Sequence, residues 1–327
     1  MDRHLSSLPR SEERRFRKQL LAWFGRHKRD LPWRQDRDPY RVWLSEIMLQ
    51  QTRVAAVQEH YRRFLQRFPT VENLAASRES IVLAAWSGLG YYRRARMLHA
   101  AARRVVREYG GRFPQTATEL RTLPGIGRYT AAAVASIAFG EPVAVVDGNV
   151  ERVLQRLFGE MITGEELWRR AGALLDPERP GDFNQAVMEL GATICLPRQP
   201  KCLLCPLSKF CATRGELPIA RKPIRQKKHE IQYGLARRDS SVFLVQRPAT
   251  ARLMPGMWEL PEIAGTKVNG HAQLTLRHSI TITDYLVHVT LLPAPKLKGG
   301  RWIAQAHLDK LPLTGLARKI LRQAEVI

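Results

Sequence analysis

Apolar residues recur at near-helical spacing through most of the first two hundred positions. Leu20, Leu21 and Phe24 form one such set, followed by Ile47, Met48, Val54 and Val57, then Ile81, Ala84 and Ala85, and later Val150, Val153, Leu154, Leu157 and Phe158. Breaker residues interrupt the series at Leu31-Pro32, Phe68-Pro69, Gly88-Leu89-Gly90, Gly110-Gly111, Leu123-Pro124-Gly125 and Pro180-Gly181. The pattern predicts an all-α region of amphipathic helices with short connections from about residue 12 to 194. After Cys211 the texture changes. Residues 212–230 hold six Lys or Arg, two Glu and two Pro, too little apolar surface to build a core, so they read as a basic linker. Runs rich in β-formers follow at 241–246, 271–276 and 285–290, and a helical pattern closes the chain from Leu316 to Ala324. The expected organisation is multidomain, α plus α+β: residues 1–211, a linker at 212–230, and an α+β domain at 231–327.

Charge narrows the class of partner. The 327 residues carry 53 Lys and Arg against 30 Asp and Glu, a net charge of +23, and such a field concentrates polyanions around the molecule. Nucleic acid is the leading partner, and charge alone leaves a merely soluble basic protein open beside it. A membrane is not, because the basic residues are spread along the chain rather than gathered on one amphipathic helix. No apolar run reaches the ~20 residues of a membrane span; the best, 130–146, is interrupted by Ser136, Gly140, Glu141 and Pro142. The Arg-rich start also contains Asp2, Glu12 and Glu13, unlike a transit peptide, and lacks an apolar signal core. Nothing marks the chain for export, and a cytoplasmic protein is expected.

All four cysteines fall within 17 residues, Cys195, Cys202, Cys205 and Cys211, spaced C-x6-C-x2-C-x5-C. In a reducing compartment four thiols this close suit one metal centre better than two disulfides. Zinc and a four-iron cluster both accept four Cys ligands, and spacing alone leaves the two open.

Three further stretches carry chemistry. Leu123-Pro-Gly-Ile-Gly-Arg-Tyr-Thr130 sets Gly125 and Gly127 in a tight turn before an Ala-rich helix, where bare backbone N–H groups can face a phosphate. Asp147 precedes an apolar-periodic helix and reads first as an N-cap. Glu46 stands beside Ile47, Met48 and Leu49. A helical glutamate is ordinarily exposed, but in an apolar setting desolvation raises its pKa and makes it a usable acid.

The cysteine spacing, the hairpin followed about 20 residues later by Val146-Asp147-Gly148-Asn149-Val150, and the upstream Leu31-Pro-Trp-Arg34 and Pro39-Tyr-Arg-Val-Trp-Leu-Ser-Glu-Ile-Met-Leu-Gln-Gln-Thr52 resemble helix-hairpin-helix DNA glycosylases of the endonuclease III superfamily. Within it they resemble the adenine DNA glycosylases, which remove adenine opposite 8-oxoguanine. The resemblance implies a helix-hairpin-helix fold with an iron-sulfur loop at 195–211 and one [4Fe-4S] cluster on the four cysteines. It implies DNA phosphate at Gly125 and Gly127, and a catalytic group of Glu46 as acid, Asp147 beneath the sugar, Asn149 and Tyr129. Members that also cleave the strand carry a lysine at the Tyr129 position. A tyrosine cannot form their Schiff base, so a monofunctional enzyme is implied. Arg34 and Gln185 match groups that contact the flipped adenine, with Trp33 and Leu49 lining its pocket. Gln51 and Leu89 match side chains that enter the vacated stack, Thr52 lies near the opposite base, and Tyr91 is wedged there.

Downstream, 252–262 (Arg-Leu-Met-Pro-Gly-Met-Trp-Glu-Leu-Pro-Glu) resembles a segment of the C-terminal domain of the same enzymes, which has the Nudix hydrolase fold. No helix bearing the Glu pair that holds Mg²⁺ in such hydrolases follows, which implies a lesion-recognition domain. Thr281 keeps a hydroxyl where the family's serine meets the lesion, whereas Ile282 replaces a histidine. Two other readings stand beside this one: a thymine or uracil mismatch glycosylase, and a catalytically silent DNA-binding module.

Overall fold

The computed structural model describes residues 9–217, 227–263, 274–280, 283–293, 297 and 299–327. In chain order the helices are α1 (Arg10–His27), α2 (Pro39–Leu49), α3 (Val54–Arg67), α4 (Val71–Ala76), α5 (Glu79–Ala85), α6 (Arg93–Tyr109), α7 (Ala117–Leu120), α8 (Arg128–Ala138), α9 (Gly148–Phe158), α10 (Gly164–Leu174), α11 (Pro180–Thr193) and α12 (Gly315–Gln323). The strands are β1 (Lys227–Leu235), β2 (Arg237–Arg238), β3 (Ser241–Gln246), β4 (Trp258–Glu259), β5 (Leu274–Ile280), β6 (Thr283–Leu291) and β7 (Gly300–Ala304). No helix is long and apolar enough to cross a membrane among the described residues.

Backbone contacts divide the chain into two compact units. One comprises residues 1–61, 70–72 and 100–220; the other comprises 62–69, 73–99 and 221–327. One seam thus falls inside the stretch expected to be a linker, and the others fall within the helical half.

In the first unit α8 is the central helix. Residues from Thr130 to Ile137 are all buried, because their Ala and Ser side chains let α2 and α11 approach closely. Gly181 shows how close: a Cβ there would lie 2.5 Å from the Ser136 carbonyl oxygen. The apolar stripe of α9, Val150, Val153, Leu154 and Leu157, packs with Phe16, Leu20 and Phe24 of α1 and with Phe183, Ala186 and Leu190 of α11. Pro180, expected as a break, opens α11 as its first residue, where its missing N–H costs no hydrogen bond.

Among the described residues the second unit contains two sheets. In one, β6 pairs in parallel with β1 and antiparallel with β5; in the other, β3 pairs with β2, β4 and β7. Tyr233, Val242, Leu244, Trp258, Val287 and Leu313 form its core together with Ile320 and Leu321 of α12. The C-terminal region is therefore α+β, as its pattern predicts. β3 occupies 241–246, and the run at 285–290 lies within β6. Strand β1 starts at Lys227, inside the stretch read as linker, because its exposed first half carries Lys227, Lys228, His229 and Glu230. Thr281 and Ile282 lie outside the described residues.

Candidate active site

Pro39 starts α2 and Asp38 caps it, its carboxylate accepting the Arg41 N–H at 2.9 Å. The helix is then buried without interruption from Val42 to Met48, which carries Glu46 into the interior at 7% exposure. The second residue of α8, Tyr129, donates from Oη to Glu46 Oε2 at 2.6 Å. Burial pushes the Glu46 carboxyl up to about 7 and the charge of Asp147 adds to the rise, while the Tyr129 hydrogen bond and the Arg34 charge oppose it. Burial likewise holds the Tyr129 phenol well above its ordinary range, with Glu46 and Asp147 reinforcing the effect. Glu46 is thus poised to exchange a proton near neutral pH, and Tyr129 stays a neutral donor.

Asp147 does cap α9. Its Oδ1 accepts the backbone N–H groups of Asn149 at 2.9 Å and Val150 at 2.7 Å, and its Oδ2 accepts Asn149 Nδ2 at 3.0 Å. The carboxylate is fixed in orientation by the helix start and by one side-chain amide.

Ten residues named from the sequence line one cleft of about 520 Å³: Trp33, Arg34, Glu46, Leu49, Gln51, Thr52, Tyr129, Asp147, Asn149 and Gln185. Trp33 is buried and meets Tyr61 edge-on at 5.5 Å. Gln51 takes a left-handed backbone, φ 54°, two residues after the end of α2. The hairpin turn is made by Gly125 at φ 74°, and Gly127 caps α8 with no side chain in front of the helix start. Leu89 and Tyr91 belong to the other compact unit, Leu89 buried at 6% exposure and Tyr91 open at 45%.

Sequence reasoning missed the charged floor of this cleft. Glu189 on α11 has a side chain with 0% exposure and is held by two arginines. Arg29 donates from Nε to Oε1 at 2.6 Å and from Nη2 to Oε2 at 2.9 Å, and Arg34 Nη2 donates to Oε2 at 2.9 Å. Burial alone would raise the Glu189 carboxyl; the Arg29 hydrogen bonds and the Arg34 charge outweigh it and hold the group below the ordinary carboxylate range. A signal was available: Glu189 lies four positions after Gln185 in an apolar helical stretch, hence on the same face, and a buried charge requires a partner.

The cysteine loop is tied to α9. Arg156 of that helix, 2% exposed, donates to the Leu196 carbonyl at 2.6 Å and the Pro197 carbonyl at 2.9 Å, and its Nη1 lies 3.3 Å from Cys195 Sγ. Arg152 bridges Asn149 Oδ1 at 2.9 Å and the Cys195 carbonyl at 2.9 Å. Cys195, Cys205 and Cys211 pack at the edge of the core formed by α1, α9 and α11, and the other three thiols lie close enough to influence Cys205 electrostatically. Burial pushes the Cys205 thiol up to about 11 and raises Cys195 as well, although Arg156 opposes the second shift. Among the described residues no group of three or more His, Cys, Asp or Glu is arranged to hold a metal ion as it stands. The donor set nevertheless suits a soft metal centre: four sulfur donors lie on one loop, and the buried Arg156 Nε, which has no hydrogen-bond partner among the described residues, would face the negative charge of metal-bound thiolates.

Known proteins resemble this chain. Residues 44–172 match the HhH-GPD superfamily of base excision DNA repair proteins. The human adenine DNA glycosylase is 50% identical over 214 residues, 61% of this chain and 39% of that protein; the Arabidopsis thaliana adenine DNA glycosylase is 40% identical over 304 residues, 77% of this chain and 48% of that protein. The chain thus spans about half the length, or less, of these relatives. Among solved structures, a thermostable thymine-DNA glycosylase aligns with TM-score 0.59 and 35% identity over 62% of this chain and 97% of that one. The chain belongs to the HhH-GPD superfamily of base excision DNA repair proteins, alongside the adenine DNA glycosylases.

Proposed function

We propose that the protein hydrolyses the N-glycosidic bond of adenine mispaired with 8-oxoguanine or guanine in duplex DNA, without cleaving the strand. The observation that carries this reading is a protonatable carboxyl, Glu46, held at about 7 in a cleft that also holds the capped carboxylate of Asp147. Adenine is a poor leaving group until N7 is protonated. Glu46 gives its proton to N7 of a flipped-out adenine, the bond from C1′ to N9 breaks, and the Asp147 carboxylate stabilises the positive charge on the sugar until water adds at C1′. Tyr129 holds the Glu46 carboxyl at one oxygen and offers no amine for a Schiff base. Arg34 and Gln185 contact the base and Trp33 and Leu49 wall it in, while Gln51, Thr52, Leu89 and Tyr91 act on the stack and the opposite base.

The four cysteines hold one [4Fe-4S] cluster in this reading, which braces the loop at 195–211 against DNA and supplies no step of the excision. The C-terminal α+β region serves as a Nudix-like recognition domain, with Thr281 as a contact to the lesion, and residues 1–211 form the catalytic region. A monomer acting at the nucleoid suits these roles.

The thymine-DNA glycosylase at 35% identity favours one rival, a thymine mismatch enzyme. Thymine has no N7 to protonate, and a carboxyl tuned to about 7 serves it poorly. Duplexes with A opposite 8-oxoguanine, A opposite G and T opposite G, treated with alkali after incubation, separate the two: strand breaks in the first two support adenine excision, and breaks in the third alone overturn it.

A further inference from the structure

The segment at 252–262, singled out in the sequence, plays no part in the excision chemistry. In the second compact unit it leads into a hydrogen-bonded assembly around a single carbonyl. Trp258 of β4 receives the Thr314 N–H at 2.9 Å and donates its own N–H to the Pro312 carbonyl at 2.9 Å, fixing Leu313 between them. The fully buried Leu313 turns its carbonyl toward residues 87–92. Tyr92 Oη donates to it at 2.8 Å and Ser87 Oγ donates at 3.2 Å. Thr314 caps α12, accepting the Ala317 N–H at 3.1 Å, and one turn on Arg318 Nε donates to Ser87 Oγ at 3.0 Å. A second tie runs from Arg96 Nη2 to the Pro255 carbonyl at 2.6 Å.

These bonds bracket a loop whose backbone is costly to hold. Gly88, Gly90 and Tyr91 all have positive φ, 105°, 70° and 49°, and for a tyrosine that conformation persists only where the surroundings impose it. The loop is also braced from within. Trp86 Nε1 donates to the Gly90 carbonyl at 3.1 Å, and Arg94 Nη2 donates to the Leu89 and Gly90 carbonyls at 3.2 Å each. The Arg94 guanidinium lies 5.4 Å from the ring centres of both Trp86 and Tyr91. The outcome is an aromatic ring held in solvent at 45% exposure on a rigid base.

We propose that Ser87 and Tyr92, which donate to the Leu313 carbonyl, and Arg318, which donates to Ser87, are positioning residues that preset the 86–91 loop for insertion into a mismatched duplex. The proposal rests on the adenine glycosylase reading, in which Tyr91 and Leu89 act on the base stack. It gives the segments at 252–262 and 312–318 a second task beside lesion recognition: they hold the conformation of a loop that lies more than 160 residues earlier in the chain. Preorganisation of this kind is read in mismatch preference rather than in the chemical step, because the strain is met before DNA arrives.

The test uses the full chain and a duplex carrying 2′-fluoro-2′-deoxyadenosine, which resists excision, opposite 8-oxoguanine, with 2-aminopurine as the neighbour of the 8-oxoguanine. Unstacking by an inserted side chain raises 2-aminopurine fluorescence at saturating protein. Tyr92→Phe and Arg318→Gln are expected to lower that signal at least twofold and to reduce the ratio of single-turnover rates for A opposite 8-oxoguanine and A opposite G several-fold, with Arg318→Lys restoring part of both. A purely structural role would lower the melting temperature and leave the saturated fluorescence unchanged, and that result overturns the proposal. If Tyr92→Phe fails to fold, Arg318→Gln decides, since the Arg318 side chain still reaches solvent at 15% exposure. Wild-type protein that neither releases adenine nor unstacks the duplex would instead sink the adenine glycosylase reading itself.

Discussion

At the residue scale, Glu46 carries a stability signature as well as a catalytic one. Its carboxyl titrates at about 7 in the fold against 4.5 for the free group. The folded state therefore binds more protons than the unfolded state between those values, and stability falls as pH rises through the window. Glu46→Gln removes the charge altogether. The variant should melt at a higher temperature than wild type at pH 8 and show little difference at pH 4, with the gap at most about 3 kcal/mol. Adenine release should be nearly abolished while duplex affinity stays within about a few-fold. Thermal melts at the two pH values and single-turnover assays check both halves; an unchanged melting temperature at pH 8 would mean that the carboxyl is not desolvated. Tyr129→Phe has the opposite electrostatic sense. Because the Tyr129 hydrogen bond lowers the Glu46 pKa, its loss should shift the alkaline limb of the pH–rate profile upward. Glu46 was legible through the family resemblance, since a helical glutamate taken by itself reads as exposed. Its pairing with Tyr129, 83 positions away, was not, since the hydrogen bond exists only through the packing of α2 on α8, which no local pattern encodes.

At the scale of elements, a cap could be read and a close approach could not. Asp147 before an apolar-periodic run announces the start of α9, because N-capping is a local interaction. Gly191 announces nothing, yet a Cβ there would lie 2.7 Å from Asn149 Cβ and 3.0 Å from the Asn149 carbonyl oxygen. Gly191→Ala should push the start of α9 away from α11 and displace the Asn149 amide that holds Asp147. We expect a loss of about 1–3 kcal/mol in stability and a fall in excision rate larger than any fall in affinity, measured by denaturant melts and single-turnover kinetics. Gly127 behaves differently. A Cβ there meets nothing within 4 Å, and its φ is −87°, so Gly127→Ala should fold normally and weaken duplex binding only if DNA phosphate approaches that helix start. Retained affinity would remove the hairpin from the DNA interface. Strand β1 shows the limit of composition: four exposed polar residues at its start look like linker, and only pairing with β6, more than 50 residues later, makes them a strand.

At the scale of the whole molecule, fold class followed from the change of period near residue 212, whereas the division into units did not, because the attachment of 73–99 to the C-terminal unit depends on contacts such as Tyr92 with Leu313. The charge of +23 was legible from composition alone, and it sets the last prediction. If the protein grips duplex DNA through phosphates, the logarithm of affinity should fall linearly with the logarithm of salt concentration. With about 6–10 phosphate contacts, affinity should drop about 10³–10⁵-fold between 50 and 200 mM salt. The single-turnover rate at saturating protein should hardly change over the same range, because Glu46 is buried and the field within the cleft is poorly screened. The cysteine loop is where this can be localised. Arg198 and Lys201 are both exposed between Cys195 and Cys202, on a loop pinned to α9 through Arg156 and the carbonyls of Leu196 and Pro197. Replacing either with Ala should reduce the magnitude of the salt slope by about one and leave the saturated excision rate intact. If the cysteines hold the proposed cluster, replacing Cys202 with Ser should lower cluster content and affinity together, since a loop that loses its brace presents the same two charges without fixed positions. Slopes that stay the same in Arg198→Ala and Lys201→Ala would show that these side chains are solvated charges, and the phosphate contacts would then have to be sought on the hairpin and the faces of the helices.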